Sequence, residues 1–213
     1  LHGRSGISKY SSKEGTQPKI SKLGTATWAK TKQKPKGRVK QIAYDLLQLY
    51  AKRKTAPGHA YPDDGYLQHA LEASFMYEDT PDQNAASKAV QEDMLKSIPM
   101  DRLVCGDVGF GKTEIAIRAA FRAACDGKQV AVLVPTTILS MQHHKSFSRR
   151  LREFPVSVEF INRFKTGKAL TETLKKVESG EVDILVGTHA IVGKRVKFKD
   201  LGLLVIDEEQ KFG

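Results

Sequence analysis

Eight consecutive residues, Gly106-Asp107-Val108-Gly109-Phe110-Gly111-Lys112-Thr113, follow the pattern G-x-x-x-x-G-K-[ST], which suits a loop wrapped around a polyphosphate. Gly106, Gly109 and Gly111 let the backbone turn tightly and bring its N–H groups against an anion with no Cβ in the way. Lys112 adds a mobile positive charge for the β- and γ-phosphates, and the Thr113 hydroxyl can ligate Mg2+. About ninety residues on, Leu203-Leu204-Val205-Ile206 runs straight into Asp207-Glu208-Glu209-Gln210. Adjacent acids are often just a solvated turn. Four apolar residues ahead of them argue instead for a central strand whose carboxyl end faces a ligand crevice. Asp207 then reads as the Mg2+-side carboxylate and Glu208 as the base that orients an attacking water. A polyphosphate cradle answered by a metal-and-water site implies ATP-driven chemistry.

Several elements have to position these groups. Arg102-Leu103-Val104-Cys105 reads as a short buried strand leading into the loop, and Glu114 through Phe121 as the helix whose N-terminus faces the phosphates. Thr80-Pro81-Asp82-Gln83 opens an earlier helix, with Thr80 as N-cap, Pro81 at the first helical position and Gln83 closing a capping box. Further strands are expected at 129–134, 156–161, 182–186 and 203–206, with helices from 137 to 152 and near 168–179. Strands alternating with helices predict a parallel sheet with flanking helices. Three of the strands would end in small or polar residues on one rim: Pro135-Thr136-Thr137, Asn162-Arg163-Phe164 and Gly187-Thr188-His189. Hydroxyls, backbone N–H groups and one Arg suit nucleic-acid phosphates, although Pro-Thr-Thr is also an ordinary helix start. His143 and His144 are adjacent, so a helix cannot turn both toward one metal, and they read as surface residues.

Charge divides the chain. Residues 1–60 carry 14 Lys and Arg against 2 acids, and the remainder 21 against 22, within an overall net charge of +11. Lys30, Lys32, Lys34, Lys36, Arg38 and Lys40, interrupted by Pro35 and Gly37, read as a linker that folds poorly alone. Such a segment either contacts a polyanion such as DNA or is merely solvated. Val39, Ile42, Ala43, Leu46, Leu47 and Tyr50 follow as one helical stripe, roughly 24 Å long over residues 39–54, and Ala56-Pro57-Gly58 stops it. A stripe of this kind is expected to pack against the domain that follows, and a short helix between domains can also transmit motion. With 213 residues, 40% of them hydrophobic, the chain can bury one sizeable core, and no apolar run approaches a membrane span. Leu1 in place of Met suggests a piece of a longer protein. Cys105 and Cys125 fit no metal spacing and suggest a reducing, cytoplasmic setting, with Cys105 read as a small buried apolar residue.

The succession GDVGFGKTE, VPTTILSMQHH, INRF and GTHAIVGKRVKFKDLGLLVIDEEQKFG resembles the first motor domain of the bacterial transcription-repair coupling factors. The resemblance covers essentially the whole chain: residues 1–38 resemble the tail of that family's RNA-polymerase-interaction domain, 39–58 its relay helix, and 59–213 a truncated RecA-like domain. It implies an ATP- and Mg2+-dependent double-stranded DNA translocase that displaces stalled RNA polymerase and recruits the excision-repair protein UvrA. It also implies DNA-tracking roles for Thr136, Arg163, Gly187, Thr188 and His189. Phe75 and Gln83 would lie on the adenine side, where Gln83 would have to share its capping role. Gln210 departs from the His that many relatives carry there. A fork-remodelling helicase of the RecG kind shares the motor motifs and is the nearest alternative. For the segment alone, a nucleotide-binding module without turnover is the second alternative, since a facing motor domain with its arginine is absent from it.

Overall fold

The computed structural model describes residues 26–63 and 65–212, with side chains from Gln33 onward apart from Lys34. Two compact units divide between Thr55 and Ala56. The described residues of the first form one long helix, α1 (Ala26–Thr55). This helix begins well before the apolar stripe and carries the basic run with it, so residues 30–38 are helical and not an extended linker. Lys and Arg are good helix formers, and their charges project from a helix as readily as from a coil. Pro35 lies within the helix, where its ring removes one backbone hydrogen bond. Of residues 1–38, which resemble a polymerase-binding tail, 1–25 lie outside the described residues.

The second unit is an α/β sandwich. Its elements are α2 (Tyr66–Ala73), α3 (Pro81–Met94), α4 (Lys112–Cys125), β1 (Gln129–Leu133), α5 (Thr137–Arg150), β2 (Val158–Ile161), α6 (Gly167–Ser179), β3 (Ile184–Gly187) and β4 (Leu201–Ile206). The four strands pair in the order β2-β3-β1-β4, all parallel. Their period-2 alternation feeds two cores. Val130, Val132, Val134, Ile184 and Val186 join Phe121 of α4 and Phe147 of α5. Ala131, Leu133 and Leu185 join Val177 of α6 and Ile191. A sheet covered on both faces is what apolar parallel strands require. Gln129 fastens its amino end. Its buried amide donates to the carbonyls of Val177 and Val182 and accepts from the N–H groups of Lys199 and Asp200.

Two expectations about strands fail together. Residues 102–105 form no strand, and among the described residues β4 lies at an edge of the sheet and not at its centre. Among the described residues β4 pairs with β1 alone. On its other side a cavity of about 400 Å³ separates Leu204, Val205 and Ile206 from Leu103, Val104 and Cys105. Apolar sequence favours burial, but a strand also needs a ladder partner within about 5 Å, and among the described residues 102–105 are paired with none. Cys105 is accordingly exposed, not buried.

Candidate nucleotide and nucleic-acid site

The register sets the site. Leu133 lies level with Gly187 on one side and Ile206 on the other, and Gly187 lies level with Ile161. The four strands therefore end together, and their following residues form one rim: Asn162-Arg163, Thr188-His189, Val134-Pro135-Thr136 and Asp207-Glu208. The backbone N–H of Asp207 extends the ladder by donating to Leu133 O (2.9 Å), as that of Val134 does to Gly187 O (2.9 Å). At Gly187 an added Cβ would lie 2.9 Å from the Ile161 carbonyl, so only glycine lets β2 and β3 approach so closely here.

The phosphate loop runs into α4 as its residue types require. Gly111 caps the helix in the left-handed region (φ 72°), and its N-terminal amides are the expected anion donors. Lys112 lies across the loop, its ammonium donating to the Asp107 carbonyl (2.8 Å) and to that of Gly106. Thr113, Asp207 and Glu208 border the same cleft of about 580 Å³ as residues 107–112. The Thr113 hydroxyl and the Asp207 carboxylate are hard oxygen donors. Two of them suit Mg2+, which keeps its other ligands as phosphate oxygens and waters. Glu208 has φ 54° and ψ 48°, a left-handed conformation that costs a non-glycine residue about 1–2 kcal/mol. Its Oε2 accepts from Gln210 Nε2 (2.5 Å), so Gln210 holds the Glu208 carboxylate directly.

Thr80 and Gln83 form the expected capping box. The Thr80 N–H donates to Gln83 Oε1 (2.8 Å) and the Gln83 N–H to Thr80 Oγ1 (3.3 Å). Gln83 Nε2 also donates to Phe110 O (3.0 Å), which ties the start of α3 to the phosphate loop. Phe75 sits with the guanidinium carbons of Arg118 and Arg150 at 5.3 and 5.4 Å from its ring centre. Both arginines converge on Glu114, and Arg118 also pairs with Asp79 at 2.6 Å. Arg150 reaches Ser74 Oγ and Leu71 O as well. This charged cluster clips residues 71–79 to α4 and α5. Its members lie far apart in sequence, so no motif announced it.

On the rim, Thr136 caps α5 by accepting from the Leu139 N–H (3.2 Å), which makes the ordinary-helix-start reading true at the least. Asn162 is buried, donates to Ser140 Oγ (3.0 Å) and accepts from the Phe164 N–H (2.9 Å), so it shapes the loop. Arg163 is exposed beside the Phe164 ring at 5.1 Å. Thr188 is buried and His189 exposed. The surface reading fails for His143 and holds in part for His144, which is half-buried. His143 Nε2 is 2.8 Å from Asp207 Oδ2 with only 11% of the side chain exposed, and His144 packs 4.8 Å from the Phe160 ring. Adjacency forbids a shared metal but does not keep one histidine from turning inward, as the spacing Leu139, His143, Phe147 would have indicated.

Among the described residues no helix is long and apolar enough to cross a membrane, and no three metal-binding side chains cluster. Curated relatives called transcription-repair-coupling factor match 97% of the chain: that of Myxococcus xanthus is 53% identical over 209 residues and that of Bacillus subtilis 48% over 207. The chain spans only 17% and 18% of their respective lengths. The structure of RecG bound to a three-way DNA junction superposes with a TM-score of 0.71 at 32% identity, over 76% of this chain and 22% of that one. The DEAD/DEAH box helicase family matches residues 80–213, the stretch that carries the capping box, the phosphate loop, the rim and the acid pair. By that match the chain belongs to the DEAD/DEAH box helicases.

Proposed function

We propose that this chain is the ATP-binding part of a double-stranded DNA translocase that displaces stalled RNA polymerase and couples transcription to excision repair. The observation that carries the reading is the shared geometry of the level strand ends: one end of the rim holds Asp207 and Glu208 against the phosphate loop, and the rest holds Thr136, Arg163, Gly187, Thr188 and His189. Relatives about half identical along nearly the whole chain support it. Contacts to RNA polymerase and UvrA belong, on this reading, to parts of the relatives that this chain does not span. The RecG likeness favours a second reading, fork remodelling by the same motor.

ATP would lie with its β- and γ-phosphates over the N-terminus of α4, Lys112 passing its donors from loop carbonyls to phosphate oxygens. Thr113 and Asp207 would hold Mg2+, which neutralises phosphate charge, while Glu208 orients the water. The adenine would sit near Phe75, beside a cavity of about 290 Å³, with the second N–H of the Gln83 amide free to meet the base edge. The cleft over the loop has no arginine in its lining among the described residues. Residues 1–213 alone should therefore turn ATP over poorly, since an arginine finger contributes about 10³–10⁵ in rate and must come from elsewhere.

The test is nucleotide binding and ATPase rate in the full-length protein, with and without duplex DNA. Lys112→Ala should weaken ATP binding about 10–100-fold, the worth of a charge-assisted hydrogen bond or two. Glu208→Gln should bind normally and lose about 10²–10⁴ in kcat. Equal loss of binding in both variants would defeat the role assignment. Displacement of a halted polymerase, against unwinding of a three-way junction, separates the two readings.

A further inference from the structure

We infer that His143 is a positioning residue for the Mg2+-side carboxylate Asp207, an inference that rests on the metal role proposed for Asp207. Asp207 stands just past an edge strand. Its backbone is bonded on one side to Leu133 and faces a cavity on the other, so the strand leaves the carboxylate's rotamer unset. Among the described residues, the side chain that bonds it is His143, at 2.8 Å from Oδ2. A carboxylate only accepts, so Nε2 carries the proton, and Oδ1 stays available to a cation.

The donor itself is held on a rigid element. His143 lies within α5, with Phe147 one turn on, fully buried and 6.2 Å away ring to ring. The same helix is locked by the Thr136 cap and by the Asn162–Ser140 bond. Both His143 and Asp207 line the cleft over the phosphate loop. A hydrogen bond that fixes a metal-ligating carboxylate usually carries 10–100-fold of metal affinity or activity. Here it would also tie the metal ligand to the helix that Thr136 caps on the rim, roughly 10 Å away at 1.5 Å per residue.

The experiment is a Mg2+ titration of fluorescent-ATP binding and of DNA-stimulated ATPase in the full-length protein. His143→Leu keeps apolar volume against Phe147 and removes the donor, whereas His143→Gln returns a donor near the Nε2 position. The Leu variant should raise the Mg2+ concentration for half-maximal nucleotide binding about 10-fold and lower kcat more than it raises KM for ATP. Gln should restore both to within about 3-fold, a rescue that a packing role alone would not show. Asp207→Ala is the control. If Asp207→Ala removes the Mg2+ dependence but His143→Leu leaves it unshifted, or if Leu and Gln behave alike, the role of His143 is overturned. If Asp207→Ala leaves the Mg2+ dependence intact, the metal reading falls and takes this inference with it.

Discussion

Gly111→Ala isolates what the phosphate loop demands of its backbone before any nucleotide is considered. Two costs arise at this position. The first is conformational: φ is +72°, and a left-handed alanine costs about 1–2 kcal/mol. The second is a collision, because a Cβ built there would lie 2.6 Å from Gln83 Nε2. That nitrogen ends a flexible side chain and can retreat, but only by giving up its 3.0 Å bond to Phe110 O and straining the 2.8 Å bond to the Thr80 N–H. Losing about one net hydrogen bond adds roughly 1 kcal/mol. Gly111→Ala should thus destabilise the fold by about 2–3 kcal/mol in urea unfolding without nucleotide. Gln83→Ala alone should cost about 1 kcal/mol, and the double variant no more than Gly111→Ala alone, because the collision has lost its partner. The cycle should therefore show a coupling of about 1 kcal/mol. Strict additivity of the two, or a Gly111→Ala cost below about 0.5 kcal/mol, would refute the reasoning.

Arg150→Ala should destabilise by about 2–3 kcal/mol, toward the low end for a broken buried pair because Arg118 still reaches Glu114 at 3.2 Å; Arg150→Lys should not rescue it, since one ammonium cannot span Glu114, Ser74 and Leu71 O together. A loss under about 1 kcal/mol in thermal or urea denaturation would contradict this. Burial pushes the Asp183 carboxyl up, partly opposed by the Ser157 N–H that donates to it at 2.7 Å. An acid with a raised folded pKa stabilises the fold most when protonated, so its contribution is lost as pH rises from the unfolded value of about 3.9 through the raised one. Asp183→Asn, which can still accept from Ser157, should gain on the wild type across that window and hold a constant difference above it; urea midpoints as a function of pH check the sign.

Local conformation confined to a few neighbouring residues was readable from the chain itself. The phosphate loop, the Thr80–Gln83 capping box, the acid pair at the end of β4 and the alternation of strands with helices all rest on local backbone conformation and short-range periodicity. Those are properties of adjacent side chains. The basic run misled because a compositional bias toward Lys and Arg is compatible with both coil and helix. Strand pairing was out of reach, since apolar runs such as 102–105 and 203–206 do not say which neighbour supplies the ladder. Only the order β2-β3-β1-β4 left β4 on an edge and residues 102–105 unpaired. The rim needed register as well, because one residue of slip would have separated Thr136, Arg163 and Thr188 from Asp207. His143 meets Asp207 across 64 positions and Arg150 meets Leu71 across 79. Such contacts come from packing α5 over the sheet and α2, a long-range burial that no local pattern encodes.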